Sequence, residues 1–75
     1  MTYEEAVEAI PKGRYRHYKG GEYEVTEIAH HSETLEPMVV YRALYGGNNV
    51  WVRPAEMWND KIGDGSLRRF MKIGD

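Results

Sequence analysis

The chain has 75 residues, no cysteine and a formal net charge of −2, and its ten basic and twelve acidic residues are mixed along the sequence. A chain of this length forms one domain, and the lack of cysteine excludes disulfides and thiolate metal sites. The mixed charge offers no extended basic surface for nucleic acid or for an anionic membrane.

Residues 1–12 are predicted to form one short helix and its connection to the rest of the chain. Thr2 suits the N-cap position, and Glu5, three residues later, completes a capping box. The helix is expected over Thr2–Ile10, with an apolar stripe that packs against a sheet: Tyr3, Val7 and Ile10. The segment lacks the basic start and long apolar run of a signal peptide, which together with the absence of cysteine favours a cytoplasmic location.

The next part of the chain alternates polar and apolar residues, as β-strands do. Gly13–Tyr18 and Glu22–His31 are predicted to be two strands joined by a glycine-containing turn. In the second strand the alternation slips after Val25. A bulge near Thr26 would return Ile28 to the core face.

A hairpin is predicted at the centre of the chain. Its strands, Met38–Tyr45 and Val50–Arg53, are rich in Val, Tyr and Trp, and the Gly/Asn run between them supplies a tight turn. Three shorter elements are predicted to follow: a helical turn over 54–58, a turn or loose hairpin over 59–66 and a last strand over 67–73.

Together these elements predict a mainly β protein of one domain, 1–75: a small SH3-like barrel of about five strands over 13–75, preceded by the short helix. The core is predicted to contain Tyr23, Val25, Ile28, Val39, Tyr41, Val52 and Phe70. Trp51 is out of phase with Val50 and Val52, so it is the aromatic residue that we expect to lie outside the core.

Four sequence motifs resemble a family of small bacterial proteins known as domain of unknown function 1653. They are GRYRHYKGGEYEV at 13–25, AHHSETLE at 29–36, VVYRALYG at 39–46 and WVRPAEMW at 51–58. The resemblance covers about residues 13 to 73 and implies an SH3-type barrel, but it brings no established activity, substrate or cofactor. The N-terminal helix lies outside the family pattern, and Trp58 stands where that pattern leads us to expect Phe.

The three histidines are the first candidates for a chemical site. His17 and His31 are weak metal-ligand candidates, and Glu33 could complete a set with them. His30 and His31 are adjacent, so on a strand their side chains would point to opposite faces. Because the spacing matches no standard metal motif, no metal and no cofactor are predicted.

The run His31-Ser32-Glu33 raises the possibility of an activated serine. No Gly-x-Ser-x-Gly elbow is present, and neighbours in sequence seldom converge on one reacting atom. The alternative is a polar loop in which Ser32 or Thr34 bonds the local backbone. No catalytic residue is therefore predicted.

Arginine and aromatic residues form the stronger candidate, because ring faces and guanidinium groups together recognise peptides, bases and anions. The predicted binding groove contains Trp51, Arg53, Arg42 and Tyr45 together with the loop residues His31, Ser32 and Glu33. This groove predicts a small cytoplasmic binding module, not an enzyme, for a protein or small-molecule partner. An apolar face of Trp51, Val40 and Leu44 leaves a homodimer open.

Two other functions remain as alternatives. One is a small metal-dependent or hydrolytic enzyme that uses His17, His31 and Glu33. The other is nucleic-acid binding through Arg14, Tyr15, Arg16 and Lys19, which the acidic balance of the chain disfavours. No membrane association is predicted, because no apolar run approaches the length of a spanning helix.

Overall fold

The fold was obtained as a computed structural model that describes residues 1–63, 65 and 67–75. Two residues of the predicted 59–66 turn, Asp64 and Ser66, lie outside the described residues. In chain order the elements are α1 (Tyr3–Ala9), β1 (Gly13–His17), β2 (Glu22–His30), β3 (Pro37–Ala43), β4 (Val50–Pro54), α2 (Ala55–Trp58), β5 (Lys61–Ile62), β6 (Leu67–Arg68) and β7 (Phe70–Gly74).

Five strands form one antiparallel sheet in the order β4-β3-β2-β1-β7, and β5 pairs with β6 as a separate short hairpin. The predicted mainly β class with a short N-terminal helix is confirmed. Among the described residues β4 and β7 do not pair, so both are edge strands of an open sheet. The predicted last strand is divided at Arg69, between β6 and β7.

The bulge predicted in the second strand is confirmed. Val25 pairs with Tyr41 and Glu27 pairs with Val40, which leaves Thr26 as the extra residue. The Thr26 hydroxyl donates a hydrogen bond of 3.3 Å to the carbonyl of Val40. Because a bulge raises the local twist of a strand, this residue bends the middle of the sheet.

The N-terminal helix begins with the predicted capping box. The Thr2 hydroxyl accepts from the Glu5 amide at 3.1 Å, and the Glu5 carboxylate accepts from the Thr2 amide at 2.7 Å. The stripe predicted for this helix is partly wrong. Ala6 and Ile10, one turn apart, are fully buried, whereas Val7 is 46% exposed because it lies at the margin of the packed face, beside an open cleft that Ile28 also lines.

Aromatic rings fill much of the core. The indole of Trp58 lies face to face with the Phe70 ring, with centroids 3.6 Å apart, and it meets the edges of Tyr15 and Tyr41 at 5.3 and 4.8 Å. Trp58 is only 1% exposed, so α2 serves mainly to place this side chain under the sheet. The resemblance to the family leads us to expect an aromatic ring at position 58. The Trp58 indole fills that position and is buried in the core.

The predicted core residues Val25, Ile28, Val39, Tyr41 and Phe70 are buried, and Tyr23 is half-buried against them. The prediction that Val52 belongs to the core is wrong, because its side chain is 61% exposed. Val52 pairs with Val40, one position out of phase with the buried Val39 and Tyr41, so it lies on the solvent side of an edge strand. None of the helices that the structure describes is long and apolar enough to cross a membrane.

Candidate cation–aromatic site

The pairing of β3 with β4 decides which side chains can meet. Trp51 pairs with Tyr41 and Arg53 pairs with Val39, so both point to the face that carries the core, here called the inner face. The Arg53 guanidinium carbon lies 5.5 Å from the centre of the Phe70 ring. Since β4 and β7 are opposite edges, the sheet is curled enough to bring its two edges together across the inner face.

His17 reaches the same ring from β1. It pairs with Phe70, and the two rings meet edge to face with centroids 4.9 Å apart. The Lys19 amide donates to His17 Nδ1 at 3.1 Å, so in the neutral ring Nε2 carries the proton. Burial lowers the pKa of His17, and the positive charges of Arg69, Arg53 and Lys19 lower it further.

Both arginines near His17 are half-buried. The Nε atoms of Arg53 and Arg69 are shielded from solvent and have no hydrogen-bond partner among the residues that the structure describes. Among the described residues, the Arg69 guanidinium forms a long ion pair with the carboxylate of Asp60, at 3.9 Å. We call the group of His17, Arg53, Arg69 and Phe70 the cation–aromatic site. It concentrates positive charge in a chain whose net charge is −2.

Two tyrosines border this site. The hydroxyls of Tyr23 and Tyr45 are 2.6 Å apart, and this hydrogen bond, together with burial, raises the pKa of Tyr23 to about 12. The positive charge of Arg53 acts on the pKa of Tyr23 in the opposite direction. A cleft of about 200 Å³ that includes His17 lies to one side of this site, against Arg16, Leu67 and Met71, and Arg53 and Phe70 do not line it.

Three of the predicted groove residues, Trp51, Arg53 and Tyr45, therefore lie on or beside the inner face, but Arg42 does not. Arg42 pairs with Glu24 and with Val50, out of phase with Tyr41, so it lies on the outer face. Its guanidinium donates to the carbonyl of Asn48 at 3.2 Å. The predicted apolar face is wrong for the same reason, since Val40 is an outer-face residue and Trp51 is not.

The loop residues His31, Ser32 and Glu33 belong to the other end of the sheet. They follow β2, whereas His17 lies beside the turn that precedes it, and a nine-residue strand spans roughly 25–30 Å. The structure thus separates His17 from His31, and among the described residues no three acidic or histidine side chains are grouped as metal ligands.

The loop is held by local hydrogen bonds. His31 Nδ1 accepts from the amides of Glu33 and Thr34 at 3.1 and 3.3 Å, and the Thr34 hydroxyl accepts from the Glu36 amide. Thr34 therefore plays the backbone-bonding role that the sequence allows. Ser32 is exposed and is not brought to the cation–aromatic site.

Tyr15, the aromatic residue named for nucleic-acid binding, is unavailable for stacking on a base. It is 5% exposed, and its hydroxyl donates to the carbonyl of Pro11 at 2.7 Å. Burial raises its pKa to about 12. Sequence reasoning missed Arg69, because the doublet at 68–69 interrupts the alternation of the last strand and gives no phase. The only available signal was its position directly before the core residue Phe70.

A curled antiparallel sheet with one packed helix and a cation–aromatic inner face defines a class of small mainly β proteins. The chain belongs to the family described as protein of unknown function, DUF1653, which matches residues 13–72. It is similar to a DUF1653 protein from Bordetella bronchiseptica known from a crystal structure, with 35% identity, a TM-score of 0.80 and coverage of 91% of this chain and 92% of that one. No match was found among curated proteins.

Proposed function

We propose that this protein is a small, non-enzymatic binding module that takes an anionic group at the cation–aromatic site. The observation that carries the proposal is the pair of half-buried arginines beside His17, whose shielded Nε atoms lack an acceptor among the described residues. A buried N–H group without an acceptor is unfavourable, and for a guanidinium the cost is larger. An anion placed between these groups would remove that cost.

The chemistry of the donors limits the ligand. Guanidinium groups bind carboxylate and phosphate in a planar, two-bond arrangement, and His17 can add an Nε2 donor. Tyr23 and Tyr45, which border the site, would contact the molecule that carries the anion. The ligand is therefore a carboxylate or phosphate group on a small molecule or on a peptide side chain.

The experiment is an amide and imidazole NMR titration with sodium phosphate and, separately, sodium acetate, at constant ionic strength held with chloride. We expect saturable shifts at His17 and Phe70, and a rise in the His17 pKa, because a bound anion favours the imidazolium form. Binding of phosphate but not acetate would identify the ligand as a phosphate group, and binding of acetate but not phosphate would identify it as a carboxylate.

Arg53→Gln and Arg42→Gln form a matched pair, since both remove one guanidinium from neighbouring strands but from opposite faces. Arg53→Gln should weaken anion binding on the order of tenfold or more, a loss typical of one charged hydrogen bond. Arg42→Gln should bind like the natural protein. Equal losses in both variants, or no saturable shift with either anion, would contradict the proposal.

The length of β2 separates His17 from the His31 loop. This separation supports the proposal of a non-enzymatic protein over a metal-dependent or hydrolytic enzyme that would need His17, His31 and Glu33 together. The buried Tyr15 likewise does not favour nucleic acid. A bacterial, cytoplasmic setting is part of the proposal, and it rests on the absence of cysteine and on the resemblance to bacterial proteins.

A further inference from the structure

The edge strand β4 exposes apolar side chains on both of its faces. Val50 and Val52, on the outer face, are 51% and 61% exposed, and Trp51, on the inner face, is 53% exposed. Edge strands of soluble proteins usually carry charges or are covered, because an apolar edge pairs readily with another strand. Arg53 is the one charged residue of β4.

The hydrogen-bond pattern shows which backbone groups of β4 remain available. The Ala43 amide donates to the carbonyl of Asn49 at 2.9 Å, next to the pair Arg42–Val50. In an antiparallel ladder hydrogen-bonded pairs alternate with non-bonded pairs. Trp51 and Arg53 therefore bond to β3, whereas the N–H and C=O groups of Val50 and Val52 point outward from the sheet.

We propose that two copies of this chain pair through β4, antiparallel, about a two-fold axis at Val52. Each Val52 faces the other and exchanges two N–H···O=C bonds with it. Each Val50 amide donates to the Pro54 carbonyl of the second copy, which gives four backbone hydrogen bonds. On the inner face each Trp51 lies opposite the Arg53 of the second copy, an arrangement that favours cation–π contact.

The sequence of β4 selects this register over its neighbours. An axis at Arg53 would place the two guanidinium groups directly opposite each other, which is unfavourable. An axis at Trp51 would extend the pairing to Asn48, whose φ of 54° is left-handed and not extended. Only the axis at Val52 pairs all five residues, Val50–Pro54, with the same five residues of the second copy. In this register the exposed indole of Trp51 faces Arg53, the one charge of the edge, in both directions, so the side chains of β4 complement those of a second copy.

Pairing would also extend the ring stack of the core. Arg53 already contacts Phe70, and Phe70 lies on Trp58. The Trp51 of the second copy would add an indole beside Arg53, at the rim of the cation–aromatic site. The inference rests on the edge strand alone, so it stands or falls independently of anion binding.

A five-residue edge buries less than the roughly 1,200–2,000 Å² of a stable complex, so we expect a concentration-dependent dimer with a dissociation constant in the micromolar to millimolar range. Sedimentation equilibrium between micromolar and millimolar protein should show the mass rising from 8.7 kDa toward twice that value. A mass that stays at 8.7 kDa across this range would overturn the proposal.

Val52→Lys places two like charges at the axis and should remove the dimer. Met71→Lys is the matched control, because Met71 is 54% exposed on the other edge strand, β7. Mixing Val52→Lys with Val52→Glu should restore a heterodimer, since only the Val52 register puts these residues face to face. Failure of the mixture to associate would overturn the register, and loss of the dimer in Met71→Lys alone would move the interface to β7. Circular dichroism confirms folding, and unchanged phosphate binding by Val52→Lys separates this test from the proposed function.

Discussion

At the scale of single residues, the two tryptophans have opposite roles although seven positions separate them. Trp58 is 1% exposed and stacked on Phe70, whereas Trp51 is 53% exposed at the edge of the sheet. Trp58→Ala should lower the free energy of unfolding by about 3–5 kcal/mol, because it leaves a cavity that the surrounding rings cannot fill. Trp51→Ala should change it by less than about 1 kcal/mol.

Urea unfolding of both variants at low micromolar concentration, where the monomer prevails, measures this difference. Trp58→Phe is a useful third variant, since it retains one aromatic ring at this position, and it should recover part of the lost stability. A large destabilisation by Trp51→Ala would show that the indole is part of the core after all.

His17 gives the site a pH dependence with a definite sign. Burial and three nearby cations lower its folded-state pKa below the ordinary value of about 6.5, so the unfolded chain binds its proton more readily. Its contribution to stability is therefore fully present above that ordinary value and is lost as pH falls through it toward the folded pKa.

The Arg53→Gln variant isolates the cause. Removing one of the cations should raise the His17 pKa toward its ordinary value, which an imidazole NMR titration reads directly. Arg42→Gln changes the same charge on the outer face and should leave the titration unchanged. A His17 pKa that does not move in Arg53→Gln would assign the whole shift to burial and would weaken the electrostatic picture of the site.

At the scale of elements, two ladder irregularities can bend the sheet, one between Arg14 and Tyr15 in β1 and one at Thr26 in β2, and we expect the bulge in β2 to contribute most of the curl toward the cation–aromatic site. The ladder runs in one register up to Val25 and in a register shifted by one residue from Glu27 onward. Deleting Thr26 makes the two halves continuous without moving any core residue to the other face. The variant should therefore keep its strands and lose the extra bend.

The expected result is a flatter sheet in which Arg53 moves away from Phe70. Far-ultraviolet circular dichroism should stay that of a β protein, while the His17 pKa rises and phosphate binding weakens. Thr26→Val is the control, because it keeps the bulge and removes only the hydroxyl that bonds Val40. A deletion variant with an unchanged His17 titration would show that the curl has another origin.

Much of this architecture could be predicted from local pattern. The alternation of Tyr23 and Val25 followed by the slip at Glu27 indicates the bulge, and Thr2 with Glu5 indicates the helix start. Tyr41 and Arg42 are adjacent in β3, so their side chains point to opposite faces of the sheet. Once Tyr41 is assigned to the core, the sequence therefore predicts that Arg42 lies on the outer face. Val52 was misjudged because a pattern of period two separates the two faces of a strand but does not show which of them is the core face, and in β4 the core face carries Trp51 and Arg53.

The site itself could be predicted only in part. Trp51 and Arg53 share one phase of one strand, which local pattern can show. The approach of Arg53 to Phe70 depends on strand order and on curl, and neither is encoded in any short segment. The assignment of the His31 loop to the same groove failed for that reason, because strand direction places the loop at the far end of β2.

At the scale of the whole molecule, the N-terminal helix belongs to the same core as the sheet. The family match begins at residue 13, but Ala6 and Ile10 are fully buried among the core residues. The match to the Bordetella bronchiseptica structure covers 91% of the chain, more than residues 13–75 alone provide, so it includes part of the N-terminal segment. A chain this short without disulfides has little stability to spare.

We therefore expect Ile10→Ala to lower the free energy of unfolding by about 2–5 kcal/mol, with the loss spread over the whole molecule. Val7→Ala is the control, since Val7 is 46% exposed on the same helix and should change stability by less than about 1 kcal/mol. Amide hydrogen exchange shows whether the helix and the sheet unfold together or separately. If the helix and the sheet form one cooperative unit, Ile10→Ala accelerates exchange in β1 and β3 as much as in α1. Faster exchange confined to α1 would show instead that the helix is an addition to a sheet that folds without it.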